Sequence, residues 1–130
     1  MVAEYSELPD VVTRDVDQFI DNLDSLEVVM LLYREQSRGW TPDQVANRLR
    51  ISARVARREL ERMSTRGIAL LGDAFRFDGS DPDRAAAVAR IGAIYGTRRI
   101  ELINYVASQT LKRIQSIADA FRIKKDDSHE

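Results

Sequence analysis

The sequence predicts a mostly α fold, in which a helical domain carries one small β-hairpin and is followed by two additional C-terminal helices. Three observations predict it. Apolar residues recur at three- and four-residue spacing along most of the chain. Helix-start signals punctuate that pattern, the strongest being Thr41-Pro42-Asp43-Gln44, with a hydroxyl cap, proline at the first helical position and glutamine three residues after the cap. A single segment, from Ile68 to Phe77, replaces helical spacing with apolar runs on either side of Gly72-Asp73. At 130 residues the chain has the size of one ordinary domain.

The elements follow in order. Residues 1–12 show no sustained period and are expected to form a loose arm, and residues 13–23 a short helix with Val16, Phe19, Ile20 and Leu23 on one side. Asp24, with Glu27 three residues on to reach back to the cap amide, opens a helix over residues 25–36. Pro42 begins a short helix over residues 42–49 that buries Val45, Ala46 and Leu49. Trp40, just before it, is expected to anchor the core.

Ser52 caps a longer helix over residues 53–66, whose Ala56, Leu60 and Met63 face inward and which ends at Gly67. In the hairpin, Gly72 and Asp73 are expected at positive φ, Phe75 and Phe77 inward, and Arg76 outward. One long helix is expected over residues 81–108, with Tyr95 and Tyr105 as packing residues and Gly92 and Gly96 open to a neighbouring helix. A last helix is capped by Thr110, with Leu111, Ile114, Ile117, Ala118 and Phe121 on one face, and a charged tail spans residues 124–130.

Composition removes much chemistry. The chain has no cysteine, which excludes disulfides, thiolate metal sites and thiol nucleophiles, and its one histidine, His129, lies in the charged tail. No carboxylate spacing marks a catalytic pair, so an enzyme is not expected, and no cofactor motif is present. The longest apolar run, residues 28–33, is far short of the roughly 20 residues of a membrane span, and no stretch reads as a signal peptide. A cytoplasmic protein without a membrane partner is the expectation.

Net charge is −1, yet it is segregated. Residues 1–27 hold eight acids against Arg14, whereas residues 46–66 hold seven arginines against Glu59 and Glu61. Such asymmetry points to an anionic partner for the basic segment, although Glu59 and Glu61 are spaced to neutralise neighbours on the same helix. With Ala56 facing the core, a rotation of 100° per residue puts Arg54 and Arg58 about 160° away on either side, and Arg57 and Arg62 about 100° to 120° away. The arginines therefore form an outward ridge. The acidic N-terminal segment is expected either to shield it in the absence of an anionic partner or to serve as a solubilising tail.

Helix, short helix, turn, arginine-bearing helix and tight hairpin follow the order of a winged helix-turn-helix. Over residues 24–79 the sequence resembles that superfamily of transcriptional regulators. The stretch from Ser52 through Arg58, Leu60, Arg62 and Met63 to Gly67 and Ile68 is similar to the recognition helix and wing entry of multiple-antibiotic-resistance (MarR) type regulators. The hairpin is shorter than the wing of that family. The resemblance implies sequence-specific binding of double-stranded DNA, with the helix over residues 53–66 in the major groove and the hairpin over residues 68–78 on the backbone.

Ser52, Arg54, Arg57 and Arg58 would then face base edges, Arg62 a phosphate, Arg48 and Arg50 the backbone beside the turn, and Arg76 a phosphate or the minor groove. Arginine suits these roles because its planar fork engages guanine or phosphate and never loses its charge. Residues 80–123 form a C-terminal helical region whose apolar stripes one small domain covers only in part, so a homodimer through residues 82–121 is expected. The alternative reading is a protein-protein interaction module, a winged-helix adaptor that holds a signalling or transcription protein without touching DNA.

Overall fold

The most apolar stretch of the chain takes the centre. In the computed structural model, which describes residues 8–127 and side chains through Arg122, the helices are α1 (Asp10–Phe19), α2 (Leu23–Arg34), α3 (Pro42–Leu49), α4 (Ala53–Thr65), α5 (Pro82–Thr97) and α6 (Arg99–Asp127). Strands β1 (Ala69–Leu71) and β2 (Phe75–Phe77) form an antiparallel hairpin between α4 and α5. Helix α2 buries Leu26 and every residue from Val28 to Leu32, because α3, α4, α5, α6 and β2 all pack around it. A helix apolar on nearly all sides can be stable in water only in such a position.

The hairpin register pairs Ala69 with Phe77, Leu70 with Arg76 and Leu71 with Phe75. The two-residue period of a strand sends Phe75 and Phe77 into the core and Arg76 outward, as expected. Trp40 extends the sheet, its N–H donating to the Phe75 carbonyl at 2.7 Å and its carbonyl accepting from the Phe75 N–H at 2.8 Å. Gly72 and Asp73 do not adopt positive φ. The left-handed pair is a requirement of two-residue loops, and this loop has three residues, closed by the Gly72 N–H donating to the Ala74 carbonyl at 3.1 Å.

Left-handed backbone occurs instead at Gly67 (φ +79°) and Arg50 (φ 59°) among the described residues. Gly67 ends α4 in a Schellman motif, with the Ile68 N–H reaching Met63 O at 2.9 Å and the Gly67 N–H reaching Ser64 O at 3.1 Å.

Three helix boundaries differ from expectation. Helix α1 begins at Asp10 rather than residue 13, with Leu8 and Val12 buried, so part of the expected arm is packed structure; residues 1–7 lie outside the described residues. Leu23 belongs to α2, which is capped by Asn22 instead of Asp24: Asn22 Oδ1 accepts the Ser25 N–H at 2.9 Å and Ser25 Oγ accepts the Asn22 N–H at 3.0 Å. Glu27, released from capping, accepts the Tyr95 hydroxyl at 2.8 Å.

The expected long helix breaks at Arg98, after Gly96 and Thr97, two poor helix formers. Arg98 ends α5 through its N–H to Ile94 O (2.6 Å) and opens α6 by accepting the Leu102 N–H (3.1 Å). Thr110 is therefore interior to α6, where its hydroxyl donates to Val106 O at 3.0 Å in the manner of a helical threonine.

The acids of the N-terminal segment fasten α1 and the α1–α2 turn to the rest. Buried Asp15 receives Arg90 of α5 at 2.7 and 3.1 Å. Asp17 accepts the Tyr105 hydroxyl of α6 at 2.8 Å. Burial, and then that carboxylate, push the Tyr105 phenol up to about 12. The fold thus favours the neutral phenol, so the stability carried by this contact is complete below the ordinary value of 10.0 and is lost as pH rises through about 12. Urea midpoints measured from pH 9 to 12 should fall less steeply for Tyr105→Phe than for the parent chain, and superimposable profiles would contradict the assignment.

Gly92 matters within the chain rather than between chains: a Cβ there would lie 3.1 Å from the Tyr33 ring. No helix among the described residues is long and apolar enough to cross a membrane.

Candidate nucleic-acid interface

Helix α3, its turn and α4 position the predicted contact residues. Thr41 and Gln44 cap α3 reciprocally, the Gln44 N–H donating to Thr41 Oγ1 at 3.2 Å and the Thr41 N–H to Gln44 Oε1 at 3.0 Å. Ser52 caps α4 by accepting the Val55 N–H at 3.1 Å, which assigns its side-chain oxygen a structural task beside any contact role. On α4 the buried face is Ala56, Glu59, Leu60 and Met63.

Arg54 and Arg57 project from the exposed face and form no ion pair or hydrogen bond among the described residues. Arg50, in the turn, is likewise exposed and unpaired among them.

The rest of the ridge is turned toward the protein's own acids. Glu59 is fully buried, and its Oε2 receives Arg58 at 3.1 Å and Arg62 at 3.3 Å. Arg62 also lies 3.7 Å from Asp21, and Arg66 donates to Asp21 at 2.9 Å and to the Phe19 carbonyl at 2.8 Å. Oε1 of Glu59 has no hydrogen-bond partner among the described residues. A buried carboxylate is costly unless paired, and here it acts as a tether that fixes the stems of Arg58 and Arg62. The predicted residues thus divide: Arg50, Arg54 and Arg57 are exposed and unpaired among the described residues, while the charge of Arg58 and Arg62 is partly committed to Glu59.

Arg48 pairs with Glu35 and sits 4.9 Å above the Trp40 ring, whose centroid is also 3.7 Å from Arg38. Arg38, Trp40, Gln44, Asn47 and Arg48 line a shallow polar groove on the α3 side. Arg76 folds back to donate to the Ser37 carbonyl at 3.2 Å, beside Gly39, and leaves the hairpin tip to Leu70 and Leu71, which are 60% and 57% exposed.

Sequence reasoning anticipated that Glu59 could neutralise its neighbours but missed its burial, and it missed the anchoring roles of Asp21 and Arg66. Glu59 was detectable, because it lies about 60° from Ala56 on the helical wheel, inside the apolar arc. Nothing local marked Asp21, whose partners are more than forty residues away.

Arg50 closes α3 in the left-handed conformation, which costs a non-glycine residue about 1 kcal/mol. Arg50→Gly is therefore expected to raise the unfolding free energy by about 1 kcal/mol, whereas Arg50→Ala should not. Equal urea midpoints for the two variants would rule this out.

Comparison of the chain with protein-family models, with curated proteins and with solved structures finds no match.

Proposed function

We propose that the chain is a winged helix-turn-helix transcriptional regulator that binds double-stranded DNA as a homodimer through residues 82–121. Helix α4 enters the major groove, with Arg54 and Arg57 toward base edges and Arg50 on the adjoining backbone. One observation carries the reading: these three arginines are exposed and unpaired among the described residues, although acids are abundant elsewhere. Arg58 and Arg62 are phosphate contacts held in place by Glu59, and Arg48 faces the backbone beside the groove of α3. Arg76 would have to leave Ser37 to reach a phosphate, so the wing contributes little charge to the contact.

Fluorescence anisotropy with a random duplex across a salt series tests the proposal. Binding should weaken linearly in log salt, with a slope of about −0.9 for each phosphate neutralised. Absence of binding at low salt would reject it. The apolar hairpin tip at Leu70 and Leu71 favours a second reading, in which the domain docks on another protein. That reading predicts that Leu70→Ser with Leu71→Ser abolishes function in cells while Arg54→Ala and Arg57→Ala do not.

A further inference from the structure

Helix α6 outruns the domain beside it. Leu102 and Val106 are buried, yet every residue from Leu111 to Arg122 is exposed, a projection of about 18 Å. The exposed face is ordered by sequence. Ile100, Asn104, Ala107, Leu111, Ile114, Ala118 and Phe121 follow one another at alternating spacings of four and three, and all seven are exposed. That spacing is the seam of a coiled coil, and it runs for three heptads on the side of α6 away from the core. Beside it, Asn22, Leu23, Asp24, Thr110 and the seam residues from Ala107 to Ile114 enclose a groove of about 500 Å³.

We infer that the occupant of this seam and groove is α6 of a second copy, running antiparallel. The inference rests on the homodimer reading above and adds its register. With the two-fold axis between Leu111 and Ile114, Leu111 meets the second copy's Ile114, Ala107 meets its Ala118, and Asn104 meets its Phe121. The two large layers of Leu111 with Ile114 then meet at the axis, flanked on each side by a small layer of Ala107 with Ala118. In the same register the second copy's Ile117, which is 66% exposed in the single chain, falls opposite Thr110 and fills the groove beside Leu23.

Glu101 and Arg122, which in the single chain pair with Arg98 and Asp119, fall opposite one another as opposite charges along the flank. A parallel pair would instead stack Asn104, Ala107 and Phe121 each on itself and leave the groove empty. In this register the paired seam runs from Asn104 to Phe121, about 26 Å. With the groove added, a contact of that length approaches the roughly 800 Å² per partner of a stable complex.

Because the chain has no cysteine, single cysteines report the register directly. Ala107→Cys and Ala118→Cys chains, one carrying a size tag, are mixed and mildly oxidised. The expected result is a disulfide heterodimer from the mixture and none from either variant alone. Like residues of the pair would be about 16 Å apart along the axis, beyond the roughly 7 Å that a disulfide spans.

Self-cross-linking of either variant, or a monomeric parent chain in sedimentation at 50 µM, overturns the proposal. Ile117→Glu is the second variant: circular dichroism should be unchanged, since the residue is exposed, while the dimer dissociation constant rises by about tenfold or more. An unchanged dimer would also overturn it. Duplex binding measured on the same samples separates the two readings: a monomer that still binds DNA removes the homodimer and its antiparallel pair but leaves DNA binding standing, and a cross-linked dimer indifferent to DNA removes the regulator reading alone.

Discussion

Replacing Arg54 and Arg57 together by alanine is expected to reduce affinity for duplex DNA by roughly 30- to 100-fold at near-physiological salt, about 2 to 3 kcal/mol for two arginine contacts. To the extent that they neutralise phosphates, the slope of log affinity against log salt should flatten by up to about two units per protomer. The magnitude follows from their state in the free protein. Neither guanidinium has a partner among the described residues, so no internal ion pair must break before DNA is engaged.

Arg58 and Arg62 should behave differently. Both point at the buried Glu59, and removing them leaves a carboxylate inside the protein with less compensation, so stability is lost together with salt dependence. Glu61 lies exposed on the same side of α4 as Arg54 and Arg57, and Glu61→Gln should therefore strengthen non-specific binding by removing repulsion. An unchanged duplex affinity in the Arg54→Ala, Arg57→Ala variant would refute the assignment of α4 to the groove.

What the sequence revealed and what it hid separate along a physical line. Local rules sufficed for α3, α4 and the hairpin: the Thr41-Pro42-Gln44 start, the Ala56, Leu60 and Met63 stripe, and the inward Phe75 and Phe77 each depend on residues within one turn or one strand. The start of α2 was less legible, because Asn22 competes with Asp24 as its cap and closes a box only through Ser25. The break at Arg98 was hidden by an apolar periodicity that continues across it.

Within the candidate site, the outward direction of the arginines was readable from 100° geometry, but their occupancy was not. Asp21 reaches Arg62 and Arg66 across the α1–α2 turn, and Arg76 finds the Ser37 carbonyl thirty-nine residues away. Contacts of that separation have no local trace.

Trp40→Ala should produce the largest loss of stability among single substitutions near the site, roughly 3 to 5 kcal/mol, because it deletes a bulky side chain that is almost wholly buried. The backbone bridge to Phe75 does not depend on the indole, so the loss comes from the cavity and from the stacked Arg38 and Arg48. The same removal frees Arg48 to rearrange and loosens the residue that precedes the Thr41 cap, so α3 should fray together with the fold.

Trp40→Phe separates these contributions. It keeps most of the volume and removes an indole N–H that has no partner in the core, so its cost should be about 1 kcal/mol. Trp40 is the sole tryptophan, so both variants are followed by far-UV circular dichroism instead of fluorescence. A midpoint lowered by roughly 10 to 20 °C for alanine and by only a few degrees for phenylalanine is the expected pattern. If the alanine variant melted within a few degrees of the parent chain, Trp40 could not be the residue that locks the hairpin to the start of α3.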